Sequence, residues 1–197
     1  MAYGGSEVVP TAVKILVAGG FGVGKTTMVG ALSETGPLRT EEIITEASTG
    51  VDSLTGVEAK STTTVALDFG RITISEDLVL YLFGTPGQDR FWFLWDELAL
   101  GATGAVVLAD TRRLADCFPS VDYFERRGTP FIIAVNCFEG ASLYELHEIK
   151  QALNLESEVP IMLCDARRRQ SGKDVLIALL QHVGSARTRG EPARVTT

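Results

Sequence analysis

Apolar residues along this chain fall into short, nearly uninterrupted runs. Runs of this length are typical of strands that are buried on both faces of a sheet. Such strands are predicted at 13–18, 78–83, 105–109, 131–135 and 161–164. A further strand is predicted at 62–70, where β-branched residues alternate with others, and Ser75–Asp77 predicts a hairpin turn after it.

Between these runs the apolar residues recur at helical spacing. Helices are therefore predicted at 25–34, 89–100, 119–126, 142–153 and 171–183. Ser142 and Glu145 have the spacing of a capping box at the start of the fourth of these helices. Strands that alternate with helices indicate a mostly parallel sheet with helices on both faces.

Two kinds of segment lack such periodicity. Residues 35–61 are rich in Gly, Ser, Thr and Glu, and a stretch this long without structure of its own is typically functional or mobile. The two ends of the chain predict a flexible leader at 1–11 and a flexible tail at 186–197. One domain is thus expected at 12–185, which agrees with a length of 197 residues.

Composition narrows the class of protein. A net charge of −7 argues against a general nucleic-acid-binding protein, which needs a basic surface. The sequence shows no apolar run long enough to span a membrane, no secretory signal and no lipidation motif, so direct membrane insertion is not expected. Three widely spaced cysteines without metal-ligand spacing indicate reduced thiols in a cytoplasmic protein.

The first predicted strand is followed by the pattern G-x-x-x-x-G-K-[ST] and then by a predicted helix. A glycine-rich turn at a helix N-terminus directs backbone N–H groups at a phosphate. In such a loop Lys25 reaches the β- and γ-phosphates, and the Thr26 hydroxyl binds Mg²⁺. The alternative is a glycine-rich turn that binds nothing. The expected nucleotide-binding residues here are Gly19, Phe21, Gly22, Val23, Gly24, Lys25, Thr26 and Thr27.

Polar segments follow several of the other predicted strands. In a parallel sheet the carboxyl ends of the strands meet at one edge, where ligands bind. These segments are therefore expected to surround the phosphate loop. They are 84–90, 110–112, 136–139 and 165–167.

Taken together, these segments resemble those of Ras-like small GTPases, and among them the bacterial MglA-type group and the actinobacterial conservon-type ATP/GTP-binding proteins. The resemblance is carried by Thr-Thr-Thr-Val-Ala-Leu-Asp-Phe-Gly at 62–70, Phe-Gly-Thr-Pro-Gly-Gln-Asp-Arg-Phe at 83–91 and Val-Asn-Cys-Phe at 135–138. It covers about residues 13–184. It implies an α/β P-loop NTPase fold with a mostly parallel six-stranded sheet, helices on both faces and one antiparallel edge strand near 62–69.

The same resemblance implies a function. It implies a slow GTPase that binds GTP and GDP with Mg²⁺ and changes the shape of segments 36–61 and 84–96 when the γ-phosphate is lost. It also implies two partners: a roadblock/LC7-family protein, and a complex with a sensor-kinase-like membrane protein that would recruit this chain to the membrane.

Residue roles follow from the resemblance position by position. Lys25, Thr64 and Gln88 are the expected catalytic residues: Thr64, with Thr63 as the alternative, completes the Mg²⁺ shell, and Gln88 positions the attacking water. The Gly87 N–H is expected to contact the γ-phosphate. The expected residues around the base are Asn136, which also holds the phosphate loop, Glu139, and Asp165, Ala166 and Arg167, with the Ala166 N–H facing the guanine oxygen.

The sequence departs from the Ras-like pattern at several positions. Gly84 stands where Ras-like proteins have the aspartate that holds Mg²⁺ through water, and Asp68 is expected to take over this role, with Asp110 as a weaker candidate. In the base motif Glu139 replaces an aspartate and Cys137 replaces the lysine that stacks on the base. No arginine precedes Thr64, so slow intrinsic hydrolysis is expected.

Two other functions remain open from the sequence. One is a degenerate nucleotide-binding scaffold with negligible hydrolysis, and the other is an ATP-dependent phosphotransferase built on the same loop. Simpler roles also remain open for individual residues: a turn for Gln88, a solvated strand carboxylate for Asp68 and a loop acid for Glu139. The aromatic cluster at 91–95 is expected to be partly core and partly a partner surface.

Overall fold

The computed structural model describes residues 10–36, 38–45, 62–87, 93–142 and 144–190. The strands within these ranges are β1 Thr11–Ala18, β2 Leu38–Thr45, β3 Thr62–Ser75, β4 Leu78–Gly84, β5 Ala102–Ala109, β6 Phe131–Asn136 and β7 Ile161–Cys164. The helices are α1 Lys25–Leu32, α2 Phe93–Ala99, α3 Phe118–Arg127, α4 Leu146–Ala152 and α5 Arg169–Gly190, and a 3₁₀ helix covers Thr111–Cys117.

The strands form one sheet in the order β2-β3-β4-β1-β5-β6-β7. β3 runs antiparallel to both of its neighbours, and the pairs among β4, β1, β5, β6 and β7 are parallel. The predicted α/β fold with a mostly parallel sheet is confirmed. In the described part of the chain the sheet has seven strands, one more than expected, because β2 forms within the segment that showed no periodicity.

The position of β2 explains why its pattern was not visible. It pairs with β3 along Leu38↔Phe69 to Thr45↔Thr62 and ends the strand order on that side. An end strand is held mainly by backbone hydrogen bonds and needs no continuous apolar run. β3 therefore lies inside the sheet and is not its edge, although its antiparallel direction agrees with the prediction.

The core lies on both faces of the sheet. Successive side chains of a strand point to opposite faces, so β1 sends Ile15 and Val17 into one cluster and Leu16 and Ala18 into the other. Helices α1 and α5 cover the first face, and α2, α3 and α4 cover the second. Every side chain of β6 is buried, as expected for a strand between two layers of helices.

Two helix ends differ from the sequence prediction. The capping box of α4 is formed by Glu145 and Glu148, not by Ser142 and Glu145, so the helix begins at Leu146. Serine is the more common residue at a helix N-cap, so the sequence pattern favours Ser142 over the two glutamates. Helix α5 continues to Gly190, so the first residues of the expected tail are helical, while 1–9 and 191–197 lie outside the described residues.

The cysteines are free thiols, and two of them lie in the core. Burial raises the pKa of Cys117 and of Cys164 to about 12, so both remain protonated at neutral pH. Trp95 of the aromatic cluster is buried against Tyr123 and Phe124, which agrees with a core role for this residue. Within the described ranges, no helix is long and apolar enough to cross a membrane.

Candidate functional site

The phosphate loop connects β1 to α1 and depends on its glycines. Gly19, Gly22 and Gly24 have φ angles of 127°, 73° and 106°, in a region that L side chains rarely adopt. A Cβ on Gly19 would lie 2.3 Å from the Leu108 carbonyl oxygen. A Cβ on Gly24 would lie 2.7 Å from the amide nitrogen of Asn136. The loop therefore packs directly on the ends of β5 and β6.

Lys25 is buried at the first position of α1. Its Nζ donates hydrogen bonds of 2.8 Å to the carbonyls of Gly19 and Gly20. Burial lowers the pKa of Lys25 to about 8, and the negative charge of Asp68 acts in the opposite direction. A Cβ on Gly87 would lie 2.5 Å from this Nζ, so the segment after β4 meets the ammonium group. Lys25 and Gly87 are thus neighbours, as the sequence predicted for two groups that contact the same phosphate.

Thr26, in the first turn of α1, meets Asp68 of β3. The Thr26 hydroxyl donates a hydrogen bond of 2.6 Å to the Asp68 carboxylate. Asp68 is opposite Gly84 in the β3–β4 register, and a Cβ on Gly84 would lie 2.9 Å from the Asp68 Cβ and 3.0 Å from its carboxylate oxygen. The missing side chain at Gly84 therefore provides the room in which the Asp68 carboxylate reaches Thr26.

This donor set fits Mg²⁺. A threonine hydroxyl that donates its proton to a carboxylate keeps its oxygen lone pairs free for a hard cation. Mg²⁺ prefers few protein oxygens together with water and substrate phosphates. No group of three or more acidic, His or Cys side chains with metal-binding geometry is present in the ranges that the structure describes.

Asn136 joins three loops at the carboxyl edge of the sheet. Its buried side chain donates a hydrogen bond of 2.9 Å to the Val23 carbonyl and accepts one of 3.0 Å from the Ala166 N–H. The predicted contact with the phosphate loop is present. The Ala166 N–H, however, is directed at Asn136 and not at the place of a base, because the buried amide oxygen requires a donor.

A cavity of about 160 Å³ lies beside the phosphate loop. Most of the residues that the sequence assigned to the base line it, together with Cys137 and Phe138. Asp165 is not among the lining residues, because its carboxylate accepts hydrogen bonds of 2.9 and 3.0 Å from the Arg167 guanidinium, which also lowers the pKa of Asp165. The lining residues are Gly22, Gly24, Thr27, Asn136, Cys137, Phe138, Glu139, Ala166 and Arg167.

The sequence assigned no role to two arginines near the site, although Arg112 lies in one of the polar segments expected there. Arg113 donates a hydrogen bond of 2.9 Å to the Phe21 carbonyl and so supports the phosphate loop from the 3₁₀ helix. Arg112 pairs with the buried Asp110, whose pKa is lowered by hydrogen bonds from the Arg112 side chain. Asp110 is thus paired with Arg112, whereas the Thr26 hydroxyl donates to Asp68. Arg112 and Arg113 had only a weak sequence signal, because they follow β5 in a segment without a motif.

Two predicted catalytic residues, Thr64 and Gln88, are not among the site residues described above. Thr64 lies within β3, opposite Ile43, four residues from Asp68. A strand rises about 3.4 Å per residue, so the two Cα atoms are roughly 13 Å apart. Gln88 lies outside the described residues, and so do 46–61 of the first expected switch segment. The assignments of Thr64 and Gln88 stay predictions.

Comparison with known proteins finds a family that matches most of the chain. Residues 17–186 match the model of a family described as conserved hypothetical ATP-binding protein. An uncharacterized protein of Methanocaldococcus jannaschii is 35% identical over 101 residues, which are 51% of this chain and 53% of that protein. The chain therefore matches about half the length of this curated relative.

Solved structures show the same fold at low identity. The cytosolic domain of the T. maritima FeoB iron transporter aligns with a TM-score of 0.60 and 16% identity over 88% of this chain and 64% of that one, which is less than two thirds of its length. The FeoB G-domain of Methanococcus jannaschii aligns with a TM-score of 0.57 and 13% identity, over 88% of this chain and 99% of that one. The G domain of T. maritima FeoB gives 0.58 and 18%, over 89% and 98%.

At these identities the structural likeness shows the fold alone, which is that of a G-domain P-loop NTPase. The family match covers most of the chain and includes the last two residues of β1, the phosphate loop and the strand ends that surround it. This chain belongs to the family of conserved hypothetical ATP-binding proteins, on a G-domain fold.

Proposed function

We propose that the protein is a molecular switch that binds GTP and GDP with Mg²⁺ and hydrolyses GTP slowly. The observation that carries this proposal is the hydrogen bond of 2.6 Å between Thr26 and Asp68. It supports a cation site at the start of α1, although the usual aspartate position is Gly84. One bound nucleotide would then place its phosphates on the phosphate loop and its base in the cavity beside it.

The phosphates would lie on the loop between Gly19 and Thr26. Lys25 would exchange the carbonyls of Gly19 and Gly20 for phosphate oxygens, which stabilises its positive charge in a buried place. Thr26 would bind Mg²⁺ directly and Asp68 would hold it through water. The cation, when bound, would supply neutralisation of the charge that develops on the phosphate oxygens.

The switch would act through the segment after β4. The contact between Gly87 and Lys25 supports a role for the Gly87 N–H at the terminal phosphate. The indole N–H of buried Trp95 donates a hydrogen bond of 3.3 Å to the Pro86 carbonyl, so a shift at Gly87 would reach α2. Gln88 would position the water, and the lack of an arginine before Thr64 motivates the slow rate.

Base choice would depend on Glu139. Its carboxylate lines the cavity and can accept from guanine N1 and N2, which adenine does not offer as donors. The family description names ATP, so ATP is the ligand with which GTP must be compared. Release of the nucleotide from freshly purified protein, followed by chromatography, identifies the base. Adenine in the released fraction would overturn the role of Glu139.

The partners and the place of action are proposed from the sequence resemblance. They are a roadblock/LC7-family protein and a sensor-kinase-like membrane protein complex, with this chain cytoplasmic and recruited to the membrane through them. Co-purification of these proteins with the GTP-loaded but not the GDP-loaded chain is the expected result. Equal recovery with both nucleotides would contradict a switch.

Hydrolysis is tested by single-turnover assays with and without the partners. We expect slow turnover by wild type and slower turnover by Gln88→Leu. Lys25→Ala is expected to lose nucleotide binding, whereas Lys173→Ala, an exposed lysine on α5, is the matched control. Tight binding with a rate that Gln88→Leu leaves unchanged would favour the nucleotide-binding scaffold instead.

A further inference from the structure

Phe138 is an aromatic side chain at the candidate nucleotide cavity, in a motif whose phenylalanine had no role assigned from the sequence. It is partly buried and lines the cavity of about 160 Å³ beside Asn136 and Cys137. It belongs to neither of the two apolar clusters that form the core. It also borders a smaller second cavity, together with Ile149 of α4 and Leu163 of β7.

The ring is held by a cation on one face. The guanidinium carbon of Arg112 lies 3.9 Å from the centroid of the Phe138 ring, a distance typical of a strong cation–π contact. This places an arginine of the 3₁₀ helix against a residue that follows β6. The contact joins two loops at the same edge of the sheet that carries the phosphate loop.

Arg112 is itself fixed by a buried carboxylate. Its Nη2 lies 2.7 Å from one Asp110 oxygen, and its Nε lies 2.9 and 3.2 Å from the two oxygens. The Arg112 N–H also donates to Asp110 at 3.0 Å. Asp110 is 3% exposed and directly follows β5. The series of contacts from Asp110 through Arg112 to Phe138 therefore starts in the core. A long surface side chain thereby becomes a rigid support for the ring.

We propose that Phe138, supported by Arg112, is the wall of the cavity on which the purine base stacks. The inference rests on the proposed nucleotide binding and deepens it by naming the residue that holds the base. Ras-like proteins have a lysine that stacks on the base at the position of Cys137. The cysteine side chain is too short for that role. Phe138, one residue further along the same loop, supplies a flat apolar surface instead.

Stacking and base choice are then assigned to different residues. A ring stacks on any purine, because stacking depends on the π-face and not on edge donors or acceptors. Phe138 therefore contributes affinity for guanine and adenine nucleotides alike. Glu139, which lines the same cavity, contributes the choice between them. Removal of the ring is expected to weaken binding of both nucleotides and leave their ratio unchanged.

The test compares ligands with and without a base on the full chain. Dissociation constants for GDP, ADP and inorganic pyrophosphate are measured by calorimetry with Mg²⁺. We expect Phe138→Ala to weaken GDP and ADP binding roughly 5- to 100-fold, the range found for loss of base stacking, and to leave pyrophosphate binding unchanged. Phe138→Tyr is expected to retain affinity. Phe118→Ala, a partly exposed phenylalanine at the start of α3, is the matched control.

Arg112→Ala tests the support of the ring. It is expected to weaken GDP binding less than Phe138→Ala does, again without an effect on pyrophosphate. If Phe138→Ala does not fold, Phe138→Leu keeps an apolar side chain without a π-face and is expected to show the same loss of GDP binding.

The outcomes separate this inference from the proposed function. If wild type binds neither GDP nor pyrophosphate, the proposed function itself fails. If wild type binds GDP and the Phe138 variants bind it equally well, the stacking wall is refuted and the function stands. An equal loss of GDP and pyrophosphate would also overturn the inference, since the ring would then support the phosphate loop and not the base.

Discussion

The Mg²⁺ role of Asp68 can be tested by moving its carboxylate across the sheet. Asp68 and Gly84 face each other in the β3–β4 register, and Gly84 occupies the position at which Ras-like proteins place the aspartate. The exchange Asp68→Gly with Gly84→Asp returns the carboxylate to that position. Glycine is needed at 68, because Cβ atoms at both positions would lie 2.9 Å apart.

The magnitudes follow from these contacts. Asp68→Gly removes a charge-assisted hydrogen bond to Thr26, worth about 1.5–3 kcal/mol. Loss of a carboxylate that holds a metal through water, or that orients a metal ligand, lowers metal affinity about 10- to 100-fold. This corresponds to a free energy similar to that of the hydrogen bond. Gly84→Asp alone places a Cβ 2.9 Å from the Asp68 Cβ and 3.0 Å from its carboxylate oxygen, so the Asp68 carboxylate must move away from Thr26.

The assay is the affinity for a fluorescent guanine nucleotide, titrated with Mg²⁺ and repeated with a chelator. We expect each single variant to lose about 10- to 100-fold in Mg²⁺-dependent affinity, and the double variant to recover most of it. Binding in the presence of the chelator should change little between the proteins, because the phosphate loop is intact. Thermal unfolding of each variant shows whether it is folded.

Two results would refute this reasoning. The first is an Asp68→Gly protein that binds nucleotide with the Mg²⁺ dependence of wild type, since Asp68 would then be an ordinary strand carboxylate. The second is a folded double variant that binds as weakly as the single variants. In that case the carboxylate at 84 could not reach the place that Asp68 serves.

Three further predictions concern the phosphate loop. Asn136→Ala leaves the Val23 carbonyl and the Ala166 N–H without a partner in the core and is expected to lower the free energy of unfolding by about 2–4 kcal/mol, seen in urea denaturation. Arg113→Ala removes the bond to the loop carbonyl and is expected to weaken nucleotide binding about fivefold, seen as faster dissociation. Affinity is expected to fall up to about tenfold per pH unit above pH 8, because Lys25 has a pKa of about 8 without ligand and must then take up a proton to pair with phosphate.

Each of these has a control. Gln151→Ala and Arg168→Ala change an exposed amide and an exposed arginine and should behave as wild type. Lys25→Arg keeps its charge to high pH, so its affinity, whatever its absolute value, should not vary between pH 7 and pH 9.5. Unchanged unfolding of Asn136→Ala, unchanged dissociation from Arg113→Ala, or a wild-type affinity that is level across this pH range would contradict the respective prediction.

Local patterns predicted those elements that depend on short spacing. The buried runs became β1, β4, β5, β6 and β7, because a strand between two helical layers must be apolar on both faces. The glycines and the Lys-Thr pair of the phosphate loop were readable for the same reason, since their backbone angles and contacts involve neighbours in the chain. β2 was missed because its residues, Leu-Arg-Thr-Glu-Glu-Ile-Ile-Thr, neither alternate regularly nor form an apolar run.

The sequence by itself determined the α/β class, the phosphate loop and the strand ends at which polar groups gather, since all of these depend on residues a few positions apart. Only the tertiary structure decided that Asp68 meets Thr26, 42 residues away, because that contact depends on the antiparallel register of β3 against β4. It likewise decided that Arg112 supports Phe138 at the cavity wall. Register and the meeting of loops are set by long-range pairing, which no local spacing records.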